Sequence, residues 1–465
     1  MLSLKRITIL ALAACVSLAP RAHAQSRAAL QVPVEYYKLS NGLRVVLSRD
    51  TTTPTAVVGI YYNVGFRNEP KSRTGFSHLF EHMMFQGSTN LGKNQFVGLV
   101  QRNGGLLNGS TRFDFTNYFE VVPSNALETM LWAEADRMRG LKIDSTNLRN
   151  QKDVVKSEVR VNVLNQPYGG FPWIDLPMVG NTNWYNAHNF YGELSEIDAA
   201  TLPEVNQFFH TYYVPNNAAL AVVGDFDPAQ TKAWIQKYFG DIPRGTLPPR
   251  PDLTEPPQTR ERRGSRTDSL ANRPAFALAY HVPPRNTPEW YAFALIDQIA
   301  AQGNDSWLYD ELVRKRAYTG DVSAGMNLLG NDYDYAGPML WTIYLFHDST
   351  VTSDSILSAT TAVLARLRNQ PVDRATLDRA LVKIRSDLYA NIESFAGFGR
   401  SDLLASFALF DDDPSRINRI ESEFAKVTPA LIQRTARDYL KDTQRTVFTI
   451  KAGAHASSSN GGSDR

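Results

Sequence analysis

Gly75-Phe76-Ser77-His78-Leu79-Phe80-Glu81-His82-Met83-Met84-Phe85 is the stretch on which the reading of this chain turns. Its apolar spacing is helical, and residues four apart on a helix project from one face, so His78 and His82 point together, with Glu81 on the same side. Two imidazoles so placed can both reach one tetrahedral Zn²⁺, while the carboxylate between them stays free to act on water as a general base. The order is the inverse of the better-known zinc-protease helix. A lone histidine would read as a satisfied polar group on an amphipathic helix. Two at this spacing around a glutamate, in a chain with eight histidines, read as a metal site.

A catalytic zinc takes three protein ligands and keeps one position open, so a further ligand must come from elsewhere. Glu158, in Asp153-Val154-Val155-Lys156-Ser157-Glu158-Val159, is the candidate. A helix starting near Asp144 to Thr146 would carry it among valines, where a carboxylate without a partner is costly and a metal would remove the cost. His188, His210, His281 and His347 lie outside any ligand spacing and read as structural or surface groups, and His455 belongs to the tail.

At 465 residues, 43% hydrophobic and 21% charged, the chain can build two domains, and a net charge of +2 with no basic run excludes an electrostatic footprint for nucleic acid. Lys5 and Arg6, the apolar run Ile7 to Ala19 and Ala22-His23-Ala24 predict a signal peptide over 1–24 and a periplasmic or secreted protein. Leu12-Ala13-Ala14-Cys15 offers the alternative of a lipid-anchored cysteine. That reading is disfavoured because stopping at Cys15 leaves too short an apolar core. No later run is long and apolar enough to span a bilayer. Cys15 is the single cysteine, so cleavage after Ala24 leaves no thiolate to ligate a metal or act as nucleophile.

Apolar alternation on both sides of Asn41-Gly42 predicts a hairpin, and Ala56 to Val64 a strand. Phe113, Phe115, Phe119 and Val121 alternate with polar residues, predicting a strand with one buried face, and Ser124 can cap a helix that stops at Gly140. From Pro243 to Arg266, Pro248-Pro249, Pro251, Pro256-Pro257 and Arg260-Glu261-Arg262-Arg263 predict a linker without helix or strand. The expected organisation is therefore an N-terminal zinc-binding domain over 25–245, a linker over 246–270, a related C-terminal domain over 271–453 and a disordered tail over 454–465. Pro203, Gln207 and Tyr213 recur as Pro429, Gln433 and Tyr439, each time in a helix leading to a strand, which points to two related α+β halves.

With these residues in view, the chain resembles the pitrilysin, insulin-degrading enzyme and mitochondrial processing peptidase family, the inverzincins. His78-Leu79-Phe80-Glu81-His82 matches the family's helix and Glu158 its distal zinc ligand. Asn108 and Thr111, with Asp114, Thr116 and Tyr118, resemble its peptide-pairing edge strand. Tyr213, Pro215, Asn216, Asn217 and Val222 to Asp225 resemble the motif closing its first domain. The resemblance implies an α+β fold of two structurally related domains, each a mainly antiparallel sheet packed with helices. It also implies one Zn²⁺ per chain and hydrolysis of extended or unfolded peptides inside a closed chamber, with Glu81 as general base.

Two departures from the family stand out, one on the zinc side and one in the second half. Gln151 stands where many members carry a second glutamate, so it is expected to orient ligands without adding charge. Ser306 to Leu312 matches the second half, but Val313 and Gly320 stand where the family has a substrate-binding Arg and Tyr. Arg314 or Tyr318 could substitute by a local shift. The expectation is a zinc-bearing subunit of a heterodimer whose related partner supplies that Arg and Tyr. The rival readings are a non-catalytic scaffold like the core subunits of respiratory complexes, and a zinc amidase of the cell wall. An intact triad disfavours the first, and the strand Asn108 to Tyr118 the second.

Overall fold

The alternation around Asn41-Gly42 folds as a hairpin. β1 (Glu35–Lys38) and β2 (Arg44–Arg49) pair antiparallel across a turn in which Gly42 holds φ +93°, a region open to glycine. The structure, a computed structural model, describes residues 30–453. The expected leader, Cys15, the tail from 454 and His455 lie outside them.

With β3 (Thr55–Tyr62), β4 (Leu106–Thr111), β5 (Thr116–Pro123) and β6 (Ala218–Gly224), the first sheet runs β1-β2-β6-β3-β5-β4. The second, of β7 (Arg262–Asp268), β8 (Ala275–His281), β9 (Ser323–Gly325), β10 (Leu340–Phe346) and β11 (Thr446–Ala452), runs β7-β11-β8-β10-β9. From β2 onward the two share one topology. β2 pairs parallel with β6 and β7 with β11, and every other pair is antiparallel. Helices Leu202–Tyr212 and Pro429–Tyr439, which carry the recurring Pro and Gln, lead into the equivalent strands β6 and β11. The fold is therefore α+β, built from two related sheets with helices, and no helix of the described residues is long and apolar enough to cross a membrane.

Three local expectations are corrected. The linker expected over 246–270 is irregular only in its first part: Arg262–Asp268 is edge strand β7, because its backbone pairs with β11 while Arg262 bonds Gly180 O and Arg266 bonds Asp175 and Gly169 O. β5 is buried on both faces, Asn117 and Glu120 included, since helices cover one side and the second half of the chain the other. Phe113 and Phe115 lie in the turn before it. Ser124 does not cap the next helix, which starts at Leu127 after a short 3₁₀ turn.

The two halves exchange helices. Phe398–Phe410, late in the chain, packs on β2, β3 and β6 of the first sheet. There Tyr61 donates to Asp402 at 2.7 Å and Phe398 stacks on Phe119 at 3.8 Å. Reciprocally, Asp175–Gly180, from the first half, packs on β7, β8 and β11, with Phe171 and Leu176 in the core of the second sheet. The boundaries 25–245 and 271–453 follow the sequence and cut across this exchange.

Around the first sheet, α1 (Phe76–Met83), α2 (Gln95–Arg102), α3 (Leu127–Arg139) and α4 (Ser145–Val159) close the core. Arg137 of α3 is buried there, paired with Glu134 and with Glu120 (3.4 Å), its guanidinium 3.8 Å over Phe96. Arg137→Met leaves two buried carboxylates without a cation and should cost about 3–5 kcal/mol in chemical denaturation. Adding Glu120→Gln and Glu134→Gln should return most of that loss.

Candidate metal centre

α1 starts at Gly75, whose φ of +85° sits in the left-handed region, and no side chain at that position caps the helix. The cap comes from upstream. Glu69, with no exposure, accepts hydrogen bonds from the backbone N–H groups of Gly75 (2.8 Å) and Ser77 (2.7 Å), two donors that a helix leaves unpaired at its start. Burial pushes its carboxyl up to about 8 while those two hydrogen bonds pull it down. Glu196 holds the preceding residue through Thr74 N (2.8 Å) and Oγ1 (2.6 Å). A Cβ on Gly192 would lie 2.5 Å from Gly75 Cα, so two glycines let the segment 188–192 run against the start of the helix.

Asp144 caps α4 by accepting from Thr146 N and Asn147 N, at the start anticipated from sequence. α1 and α4 pack together and bring the metal-ligand candidates into one place. His82 Nε2 lies 3.1 Å from Glu158 Oε2 and His78 Nε2 3.5 Å from Glu158 Oε1. One ligand atom from each of the three residues lies within 4.8 Å of the others, the one such His, Cys, Asp or Glu group among the described residues. Hydrogen bonds from His78 and His82 hold the Glu158 carboxyl well below the usual carboxylate range, so it is ionised. Two imidazoles and one carboxylate are a donor set that suits zinc with one position open. α4 continues directly into a π-helical turn, Arg160–Leu164, a widening common at functional sites.

Glu81 stays outside this trio. Thr111 Oγ1 donates to its Oε2 at 2.8 Å, and a Cβ on Gly109 would come within 3.3 Å of Glu81 Cγ. Both residues belong to β4, the edge of the first sheet, so the carboxylate leans on the strand. Tyr118 of β5 donates to Phe80 O (3.1 Å) and ties α1 to the same sheet.

Other expected members fall differently. Asn108 is exposed on β4 but alternates to the face opposite Gly109 and Glu81, its side-chain oxygen accepting from Gly109 N at 2.9 Å. Gln151 is buried on α4, yet its amide bonds to neither imidazole, and His78 Nδ1 is buried with no partner. Val313 sits in a π-helical turn, Tyr309–Lys315, and Gly320 is exposed with open space around it. Arg314 rests over Tyr309 (5.4 Å) and Tyr318 beneath Arg316 (5.6 Å), so each already has a neighbour.

Sequence reasoning missed Glu69 and Tyr191. Tyr191 stands edge-on to His78, with ring centroids 4.9 Å apart, and Trp173 backs it at 5.3 Å. Burial, then the charges of Glu158 and Glu81, pushes its phenol up to about 12. No spacing signals either residue, because both arrive through loops that fold back on α1. A cavity of about 780 Å³ lies elsewhere, between Pro251–Gln258 and the second half, and none of the expected site residues lines it.

Family models match both halves: Insulinase (Peptidase family M16) over residues 44–168 and Peptidase M16 inactive domain over 199–383. The first span contains His78, Glu81, His82 and Glu158. The chain is 28% identical over 460 residues to zinc protease PqqE of Helicobacter pylori, covering 97% of this chain and 99% of that one. It resembles the crystal structure of a protease from Helicobacter pylori with a TM-score of 0.83 and 25% identity, over 90% of this chain and 100% of the other. The periplasmic protease PqqL of Escherichia coli has the same fold at a TM-score of 0.72 and 16% identity, over 92% of this chain and 49% of that one.

Replacing Glu69 with alanine removes both acceptors under α1 and should cost about 2–3 kcal/mol in chemical denaturation. Zinc affinity, measured by titration, should fall with it because the first turn of the helix that carries His78 frays.

Proposed function

The chain belongs to peptidase family M16, the insulinase and pitrilysin family, and from that premise we propose that it is a zinc metalloendopeptidase acting on extended or unfolded peptides. The observation that carries this reading is the convergence of His78 Nε2, His82 Nε2 and the Glu158 carboxylate, with Glu81 beside them on the edge strand. These residues would hold the ion. A bound zinc would polarise the scissile carbonyl and make water more acidic. Glu81, steadied by Thr111, takes the proton of the attacking water and returns it to the leaving amine. β4 has one edge free of strand pairing, where a peptide can add by main-chain hydrogen bonds with little demand on its sequence.

Export accords with the leader-like first residues and with the periplasmic description of PqqL. A related partner completes the chamber in this proposal and supplies the Arg and Tyr that Val313 and Gly320 lack. The match of this chain to half of PqqL favours such pairing. The inactive-domain description of residues 199–383 favours a second reading, a non-catalytic subunit of the same fold. All four proposed zinc-site and base residues precede that span, which favours the peptidase.

Glu81→Gln should retain zinc, raising the melting temperature on metal addition as the native chain does, while cleavage of an unfolded peptide falls by about 10²–10⁴-fold. Equal cleavage by the variant would reject the base, and a zinc-loaded native chain that cleaves nothing with or without its relative would favour the scaffold. Cleavage that appears only when a co-purifying relative is added supports the heterodimer. Full activity of the chain alone rejects it.

A further inference from the structure

Peptide hydrolysis asks for more than a base. As the water oxygen bonds to the carbonyl carbon and its proton passes to Glu81, the carbonyl electron pair moves onto the carbonyl oxygen. The pair returns when the C–N bond breaks and the nitrogen takes the proton from Glu81. The oxygen carries developing charge in between, and a hydrogen-bond donor already in place stabilises it most.

The hydroxyls near α1 differ in what they can do. Thr111 is engaged on Glu81, and Ser77 has no exposure. Tyr191 is half-buried, so one side of it meets solvent. Its ring packs edge-on against the ligand candidate His78, with centroids 4.9 Å apart. A tyrosine hydroxyl carries its proton at neutral pH and can donate it in a hydrogen bond.

The position is built, not incidental. Gly75 and Gly192 touch where side chains would collide, Tyr191 N donates to Asn189 Oδ1 at 3.1 Å, and Trp173 closes the back of the ring. If Tyr191 served only to fill space beside His78, a phenylalanine would do the same work. The hydroxyl is the part that packing leaves unexplained.

We propose that Tyr191 is a further catalytic residue, whose hydroxyl donates to the carbonyl oxygen of the substrate as that oxygen gains charge. This rests on the peptidase reading above. It gives the zinc-bearing half a donor of its own, in addition to any substrate-binding groups a partner brings.

Tyr191→Phe keeps the ring and removes the donor. In the zinc-loaded chain, with its relative where cleavage needs one, kcat should fall by about 10²-fold while KM, zinc content and melting temperature hold. A peptide phosphinate, which mimics the tetrahedral carbon, should lose affinity by a similar factor in calorimetry. Binding of the parent peptide to Glu81→Gln should not change when Tyr191→Phe is added. Retained kcat together with retained phosphinate affinity would overturn the proposal, as would a loss of zinc affinity that accounts for the loss of rate, since the tyrosine would then only position Glu158. Failure of the peptidase reading is seen separately, as cleavage that survives Glu81→Gln.

Discussion

Everything at the centre depends on two helices meeting at one separation. α1 and α4 are far apart in sequence, and only their packing brings a carboxylate to the two imidazoles. The contact is apolar: Leu79, Phe80 and Met83 belong to the same core as Leu148, Val155 and Val159. Close-packed interiors do not yield by fractions of an ångström without loss, so the hydrophobic core sets the distances between the candidate ligand atoms. Glu69 below α1 and Asp144 at the start of α4 keep the two helix ends from fraying.

The local parts of this arrangement are legible in the sequence, and for identifiable reasons. His78, Glu81 and His82 stand out because helical spacing is local, and the hairpin at Asn41-Gly42 because a tight turn needs a permissive residue. Glu158 needed a further argument, that a carboxylate among valines calls for a partner. What escaped was set by partners distant in sequence. β7 looked unable to form a strand because its arginines and glycine carry no apolar period, and it exists because β11 pairs with it. β5 reads as half-exposed until the helix from the other end of the chain covers it. Glu69 and Tyr191 reach α1 through loops, which have no period to read.

The exchange of helices changes what each half is. Either sheet, cut out at the linker, would expose the surface now covered by Phe398–Phe410 or by Asp175–Gly180. Neither half can finish its core before the other is present. Pairing β6 with β2 and β11 with β7 closes long loops, so native contacts form late relative to local structure. The repeated topology places the His78, His82 and Glu158 group in the first half alone among the described residues.

Glu81, the proposed base, leans on the same strand whose outer edge is unpaired among the described residues. A segment lying along that edge can shift only by pairs of residues if its side chains are to keep their facing, because neighbouring side chains alternate sides. Glu81, anchored at Thr111, then stands at one fixed rung of the ladder. The place of scission would be counted off along the backbone like steps on a ruler, and side chains would matter chiefly by which rungs they allow to fill.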